Sequence, residues 1–273
     1  MLLLAPISAV VLSAVAEVHH LISANRYTPP KFHSIEFDDE TNTLTLLQTV
    51  ESNNSHVWIS FSHDENTIYG SSMESNRLAS YDAATLEVTG VVETSGSCEG
   101  QNSAFHVAMR NAPYYVISGS YGDGCGMSVA TAADGSFVRV ESSWSYEDVS
   151  SIHGLAVQEV NGTVLLYTAD MGTDAIWVHE IDELGVAQVL QQEGLQGDTL
   201  KPRHLILHPR GTYVYASLEA TNSLLALELD QSGLIAERRD TERFPVLPED
   251  RDNSQYWVIG NCIQLCYCGA MER

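Results

Sequence analysis

Two side chains of opposite charge, Arg203 and Glu219, occupy positions from which they can meet. Arg203 begins an apolar segment, Arg203-His-Leu-Ile-Leu, and Glu219 follows a second segment, residues 212–218, that is rich in β-forming residues. The residues between them, His208-Pro-Arg-Gly-Thr, have the composition of a turn. In an antiparallel hairpin the start of the first strand and the end of the second lie at the same end. The sequence therefore predicts that Arg203 and Glu219 converge at one edge of a sheet.

A guanidinium and a carboxylate at one edge could bind and protonate a small acid. Arginine grips a carboxylate through two parallel N–H groups, and histidine or glutamate can transfer a proton. His153, in Ile152-His-Gly, begins another predicted strand and adds an imidazole. Taken alone, a histidine such as His153 is more often a hydrogen-bonded core or turn residue, and a pair such as Arg203–Glu219 is more often a structural ion pair. Their joint placement on one rim would favour an acid/base site.

An internal repeat supplies that placement. Tyr69, Tyr167 and Tyr215 are separated by 98 residues, which is twice 49, and by 48 residues. An Asn or Asp follows each of them by seven residues and precedes a short apolar strand; these are Asn76, Asp174 and Asn222. A period near 50 residues with three or four short strands per unit is typical of a β-propeller.

The repeat predicts an all-β fold of five units. They cover about residues 19–50, 56–95, 104–141, 152–190 and 203–243. Helical solenoids do not fit, because the segments are short, β-rich and punctuated by Gly, Asn and Asp. A tandem of immunoglobulin-like domains is the alternative, although it gives no reason for the constant spacing of seven.

Repeat geometry brings six residues to one mouth of the central channel. Trp58, His153 and Arg203 stand near the start of the innermost strand in their units. Met73, Met171 and Glu219 each follow the repeat tyrosine by four residues, at the end of the second strand. We predict His153, Arg203 and Glu219 as catalytic residues, and Trp58, Met73 and Met171 as substrate-binding residues. The other histidines lack such support and are predicted to be structural or on the surface: His19, His20, His33, His56, His63, His106, His179, His204 and His208.

Charge and hydropathy exclude some functions. The 273 residues carry 36 acidic and 13 basic side chains, a formal net charge of −23. This argues against nucleic-acid binding, which requires a basic surface, but a local arginine site could still bind a small anion. No apolar run reaches the roughly 18 residues of a membrane span.

The first 16 residues resemble a signal peptide. They are apolar, and Ala14-Val15-Ala16 fits the cleavage pattern of small residues. Two glycosylation sequons, at Asn53 and Asn161, would suit secretion. A buried first strand or helix is the alternative interpretation, and with it a cytoplasmic location.

Five cysteines leave one unpaired in an oxidising compartment. Cys98 and Cys125 could bridge neighbouring loops. Cys262, Cys266 and Cys268 lack the distant partner pair of a zinc site, so residues 258–273 are predicted as a tail outside the blades. Neither a metal nor a cofactor is expected.

Several motifs resemble one enzyme family. They are Ile152-His-Gly, Lys201-Pro-Arg-His, Leu207-His-Pro-Arg-Gly-Thr-Tyr-Val-Tyr, Leu218-Glu-Ala-Thr-Asn and Phe244-Pro-Val-Leu-Pro, together with His19-His-Leu-Ile and Phe61-Ser-His-Asp-Glu-Asn-Thr-Ile-Tyr-Gly. The chain resembles, from about residue 19 to about residue 257, the fungal 3-carboxy-cis,cis-muconate cyclases. These belong to the lactonase-like seven-bladed propellers, which include 6-phosphogluconolactonases. Five predicted blades against an implied seven suggest a chain shortened at its C-terminus.

The resemblance implies a metal-free cycloisomerisation. In this reaction a substrate carboxylate adds to a conjugated double bond, a carbon is protonated, and a γ-lactone forms. The family's catalytic residues carry over as His153, Arg203 and Glu219, with Arg203 holding a carboxylate. A lactone hydrolase of the 6-phosphogluconolactonase kind, a non-catalytic binding module and an inactive remnant are the alternatives.

Overall fold

The computed structural model describes residues 18–26, 28–197, 199–237, 243–258 and 270–272. Two predictions concern segments that lie outside these residues and therefore remain predictions. They are the signal peptide and the part of the tail that contains Cys262, Cys266 and Cys268. Within the described residues no helix has the length and apolar character needed to cross a membrane.

Five antiparallel sheets follow one another along the chain, at the places where the repeat predicted five units. Sheet I contains β1 (Val18–Ala24), β2 (Lys31–Asp38) and β3 (Thr43–Glu51). Sheet II contains β4 (Trp58–Phe61), β5 (Thr67–Ser71), β6 (Arg77–Asp82) and β7 (Val88–Glu93). Sheet III contains β8 (Phe105–Ala108), β9 (Val116–Gly119), β10 (Cys125–Thr131) and β11 (Phe137–Ser145).

The remaining sheets repeat this meander. Sheet IV contains β12 (Ile152–Val160), β13 (Thr163–Asp170), β14 (Ala175–Ile181) and β15 (Ala187–Gly194). Sheet V contains β16 (Pro202–Leu207), β17 (Tyr213–Leu218), β18 (Ser223–Glu228) and β19 (Arg243–Pro245). A two-stranded sheet pairs β20 (Tyr256–Val258) with β21 (Ala270–Glu272), and the two 3₁₀ turns are Gly96–Cys98 and Asn253–Gln255.

The sheets pack as the blades of a propeller. The innermost strands β4, β8, β12 and β16 contact one another in that order. Each hydrophobic cluster lies between two consecutive sheets, so the core is divided into four layers. This arrangement rules out immunoglobulin-like domains, which would each enclose a core of their own.

The repeat tyrosines join neighbouring blades. The Tyr69 hydroxyl donates to the Gly135 carbonyl at 3.0 Å, and the Tyr167 hydroxyl donates to the Gly233 carbonyl at 2.6 Å. Both acceptors lie in the turn between the third and fourth strands of the next sheet. Tyr115 is the corresponding residue of sheet III, because its hydroxyl donates to the Glu183 carbonyl at 3.1 Å. A buried tyrosine must satisfy its hydroxyl, which explains why the repeat retains this position.

The Asn or Asp seven residues after the tyrosine ends the turn between the second and third strands. Asp174 and Asn222 have positive φ angles of 51° and 47°, a conformation that Asn and Asp tolerate better than most residues. The carbonyls of Asn76, Asp174 and Asn222 accept from the first residue after the fourth strand. The constant spacing therefore reflects one backbone hydrogen bond that recurs in three blades, together with a positive φ in two of them.

Sheet I has three strands, and they correspond to the second, third and fourth strands of the other sheets. Its β2–β3 turn is capped by the Asp38 carboxylate, which accepts from the amides of Glu40 and Thr41. The β6–β7 turn of sheet II is capped by Asp82 in the same way. The described residues therefore include no innermost strand for this blade.

Candidate active site

His153 and Arg203 occupy the same place in two successive blades. In each blade the innermost strand begins at one end of the sheet, which we call the upper rim. Tyr167 pairs with Ala156 and Tyr215 pairs with Ile206, so His153 and Arg203 each stand three residues before the partner of the repeat tyrosine. Both strands carry a register shift at this point, which turns the side chains locally.

The second strands end at the same rim. The amide of Met171 donates to the Ser151 carbonyl at 2.9 Å, and the amide of Glu219 donates to the Lys201 carbonyl at 3.0 Å. These two bonds fasten the residue after the second strand to the residue before the first. The structure therefore brings Met171 beside the start of β12 and Glu219 beside the start of β16.

Arg203 and Glu219 form an ion pair at the upper rim. The guanidinium Nη1 donates to the carboxylate Oε2, and the two side chains are 27% and 20% exposed. The Nε of Arg203 is buried and has no hydrogen-bond partner in the described part of the chain. An unsatisfied buried donor is costly, so a bound anion could satisfy it.

His153 is buried against aromatic rings. Its ring stacks on Phe105 with centroids 3.6 Å apart and meets His204 edge to face at 4.7 Å. Burial, then the charges of His204 and Arg203, hold the pKa of His153 far below its usual range, although a hydrogen bond to the Arg203 backbone opposes the shift. The imidazole is therefore neutral near pH 7, and it is a weak base unless a bound anion offsets the cost of charging the buried ring. Its Nδ1 has no hydrogen-bond partner among the described residues.

Four rings, one from each of the four innermost strands, meet at the centre. Trp58 lies 5.9 Å from Phe105 and 5.4 Å from His204, measured between ring centroids, and His153 closes the set. We call Trp58, Phe105, His153 and His204 the aromatic layer. It joins blades II and V across the channel and provides an apolar surface beside the Arg203–Glu219 pair.

The predicted substrate-binding residues are placed differently from one another. Trp58 is 37% exposed and belongs to the aromatic layer. It stands two residues before the partner of its tyrosine rather than three, because β4 and β5 pair without a register shift. Met73 and Met171 are half-buried in the turns that follow β5 and β13. The structure places them at the same rim, and their contact with a substrate remains a prediction.

Asp170 fixes the strand that carries His153. This carboxylate is fully buried one residue before Met171. Six donors surround it: Ser150 Oγ at 2.5 Å, Ser151 N at 2.8 Å, Gly172 N at 3.0 Å, Thr173 N at 3.3 Å, Thr173 Oγ1 at 2.7 Å and Trp177 Nε1 at 3.1 Å. Because its acceptor sites are filled, Asp170 acts on the geometry of the rim and not on a ligand.

Phe105 and His204 were not predicted as site residues, and His204 was predicted to be structural or on the surface. In the structure the His204 ring contacts both His153 and Trp58. A signal was present, because the four members of the aromatic layer follow one another at 47, 48 and 51 residues. Asp170 gave no such signal, since the other repeats have Ser72 and Leu218 at this position.

A model of the family described as Lactonase, 7-bladed beta-propeller matches residues 24–257. The carboxy-cis,cis-muconate cyclase of Neurospora crassa is 24% identical over 224 residues, which cover 78% of this chain and 61% of that enzyme. Muconate cycloisomerase 1 of Cutaneotrichosporon cutaneum is 22% identical over 266 residues, which cover 90% of this chain and 68% of that protein. The chain thus spans about three fifths to two thirds of the length of these curated relatives.

Solved structures share the fold. The periplasmic gluconolactonase of Pseudomonas aeruginosa aligns with a TM-score of 0.71 and 16% identity, covering 89% of this chain and 71% of that one. A protein from Lactobacillus plantarum aligns with a TM-score of 0.70 and 17% identity, covering 89% and 75%. At sequence identities this low, the structural similarity shows a shared fold and nothing further.

Proposed function

Because this chain belongs to the lactonase family of seven-bladed β-propellers, we propose that it interconverts a carboxylated muconate-type acid and its γ-lactone. His153, Arg203 and Glu219 are its proposed catalytic residues. The observation that carries the proposal is the pairing of two unsatisfied groups at one rim, the Nδ1 of His153 and the Nε of Arg203. The two sequence relatives named as muconate cyclising enzymes support the substrate class.

Arg203 holds a substrate carboxylate in this proposal. A guanidinium has five N–H donors, and Glu219 uses only the Nη1 side of this one. A substrate carboxylate can therefore bind Arg203 while Glu219 keeps the guanidinium oriented. Charge-assisted pairs of this geometry are short and directional, so the acid is fixed beside the aromatic layer.

The chemical step is an isomerisation in which no atom is lost. A carboxylate oxygen forms a C–O bond to one carbon of the conjugated double bond, and the π electrons take up a proton at the neighbouring carbon. In the reverse direction a base removes that proton and the C–O bond breaks. Neutral His153 is suited to accept the proton, and the negative charge of a bound acid favours its protonated form for the forward direction.

Glu219 is the second acid/base group. It lies at the same rim, partly exposed, and its hydrogen bond to Arg203 fixes its carboxylate. General acid/base groups of this kind contribute about 10²- to 10⁴-fold to rate. In the proposed site, either His153 or Glu219 exchanges the carbon-bound proton, while the Arg203 guanidinium stabilises the negative charge of the substrate carboxylate.

Lactone hydrolysis is the second candidate, because the periplasmic gluconolactonase of Pseudomonas aeruginosa shares the fold. A neutral imidazole can remove a proton from water, which then attacks a lactone carbonyl. The two reactions can be distinguished by the isotope that each product takes up from labelled water. Cyclisation in D₂O places deuterium on carbon and takes no oxygen from solvent, whereas hydrolysis in H₂¹⁸O places solvent oxygen in the product carboxylate.

The test is an assay of the purified 273-residue chain with carboxy-cis,cis-muconate and with gluconolactone. We expect loss of diene absorbance and carbon-bound deuterium with the first substrate. His153→Gln is expected to lower turnover about 10²- to 10⁴-fold, while His106→Gln, which changes a buried histidine outside the site, leaves it within about threefold per folded molecule. No turnover of either substrate, or full turnover by His153→Gln, overturns the assignment.

A further inference from the structure

A short loop of sheet III carries an aromatic side chain over the catalytic histidine. The loop connects β9 to β10 and contains Tyr121. The Tyr121 ring stands edge to face against His153, with centroids 5.8 Å apart and planes at 88°. It also meets Phe105 at 6.5 Å. Tyr121 is 36% exposed whereas His153 is 2% exposed, so the tyrosine stands between the imidazole and solvent.

An asparagine clamps the backbone of Tyr121. The Asn102 Oδ1 accepts from the Tyr121 amide at 3.0 Å, and the Asn102 Nδ2 donates to the Tyr121 carbonyl at 2.7 Å. One side-chain amide therefore satisfies both backbone groups of a loop residue. Such a two-point contact fixes the position of the residue. Residues at loop tips are otherwise mobile.

One hydrogen bond ties this loop to the start of β12, and a disulfide anchors the far end of the loop. The Ile152 amide donates to the Ser120 carbonyl at 3.1 Å, which couples the neighbour of Tyr121 to the neighbour of His153. The Cys98–Cys125 disulfide closes the other end of the loop, with Cα atoms 5.5 Å apart. The ring of Tyr121 is therefore held at a fixed place relative to the imidazole.

We propose that Tyr121 is a positioning and specificity residue, which shields His153 from water and forms the wall against which the conjugated chain of the substrate packs. The second half of this statement rests on the proposed function. An aromatic edge and a stacked ring favour a flat, unsaturated acid over a puckered sugar lactone, because flat π systems gain from offset and edge-to-face contacts. Tyr121 would thereby select between the two candidate substrate classes.

The shielding is tested without any substrate. His153 is packed by Phe105 from β8, by Tyr121, and by His204 and Arg203 from β16. Removing the phenol ring admits water and lowers the cost of charging the imidazole, so the pKa of His153 should rise toward its ordinary value. In protein labelled with ¹³C-histidine, the His153 signal is assigned by its loss in His153→Gln.

In the unmodified chain we expect this signal to keep the shift of a neutral ring down to about pH 4. In Tyr121→Ala we expect a titration above that pH. Tyr213→Ala, which changes a half-buried tyrosine of β17 away from this rim, should leave the signal as it was. An identical His153 titration in Tyr121→Ala and the unmodified chain overturns the shielding.

The wall is tested by kinetics with carboxy-cis,cis-muconate. We expect Tyr121→Leu to raise KM about tenfold with a smaller change in kcat, and Tyr121→Phe to stay within about twofold. Asn102→Ala should raise KM in the same direction, because it releases the clamp. Asn111→Ala is the matched control, since this asparagine bonds Glu159 between the other ends of sheets III and IV.

The outcomes separate the two proposals. An unchanged KM in Tyr121→Leu, with turnover still lost in His153→Gln, overturns the wall and leaves the proposed function standing. Absence of turnover in the unmodified chain, together with a His153 titration that responds to Tyr121→Ala, overturns the proposed function and the wall while supporting the shielding.

Discussion

The upper-rim ends of blades IV and V have the same backbone and different chemistry. In both, the residue after the second strand bonds the residue two places before His153 or Arg203. In both, the innermost strand shifts register near its start. Each blade carries an acidic side chain at this end. The two side chains differ in how many hydrogen bonds they accept.

In blade IV the carboxylate is Asp170. It is fully buried and accepts from backbone amides, two hydroxyls and an indole N–H. In blade V the residue at this place is Leu218, and the carboxylate is displaced by one residue to Glu219. A displacement of one residue at a strand end changes the direction of the side chain. Glu219 therefore meets Arg203 at the rim instead of the backbone inside the blade.

Asp170 is a structural carboxylate, whereas Glu219 is placed where it could meet a ligand. A carboxylate surrounded by six donors stabilises the turn and has little capacity left for a ligand. A partly exposed carboxylate, paired with a guanidinium that has an unsatisfied Nε, can rearrange when an anion binds. The repeat thus provides equivalent backbone positions, and local hydrogen bonding decides which of them can act on a substrate.

The largest expected effect is the loss of activity in Glu219→Gln. We expect kcat/KM for carboxy-cis,cis-muconate to fall about 10²- to 10⁴-fold, because an acid/base group is lost. The free energy of unfolding should change by about 1 kcal/mol or less, since the glutamine carbonyl still accepts from Arg203. Glu93→Gln is the matched control, because Glu93 pairs with Arg77 on the exposed face of β6 and β7. Equal kcat/KM in the two variants would remove the distinction between the two blades.

Removing the disulfide should loosen blade IV and not blade V. The Cys98→Ser/Cys125→Ser variant loses a link across 27 residues, and we expect the free energy of unfolding to fall by about 3 to 4 kcal/mol. Hydrogen exchange should accelerate at the Ile152 amide, which bonds the loop of Tyr121, and stay slow at the Glu219 amide. Acceleration of both amides by the same factor would show that the upper-rim ends of blades IV and V are not supported separately.

Asp170→Asn should lower stability and leave activity largely unchanged, which is the opposite of the result expected for Glu219→Gln. The amide removes the negative charge and places N–H groups against donors, so at least one charge-assisted bond of about 1.5 to 3 kcal/mol is lost. We expect urea unfolding to show a loss of about 3 kcal/mol, with kcat per folded molecule largely kept. Asp230→Asn, in an exposed turn of sheet V, should cost less than about 1 kcal/mol. A stable but inactive Asp170→Asn would instead give this residue a role in the chemistry.

The blades could be predicted from the sequence because their spacing has a local physical cause. Tyr69 and Tyr167 recur because each hydroxyl bonds the turn of the next blade. Asp174 and Asn222 recur because a turn requires positive φ there. Tyr115 was missed as the tyrosine of blade III, because that unit matched the others only loosely and two tyrosines stand side by side.

The detail of the site could not be predicted in the same way. Spacing places His153 and Arg203 on one rim, but the direction of the next side chain, His204, depends on the register shift in β16. Whether Asp170 faces six donors or solvent depends on Ser150, Thr173 and Trp177, which come together only in the fold. Side-chain direction at irregular strand ends is a tertiary property.

The smallest expected effect concerns the pH dependence of stability in blade IV. Burial lowers the pKa of His179 to about 4, against a hydrogen bond to the Leu166 backbone. The unfolded chain binds this proton below about pH 6.5 and the folded chain only below about pH 4. Stability is therefore kept above pH 6.5 and lost as the pH falls between these values, by about 1.4 kcal/mol per pH unit. His179→Gln should reduce the slope of unfolding free energy against pH by that amount between pH 6 and about pH 4.5. An unchanged slope would show that His179 has the same pKa in the folded and the unfolded chain.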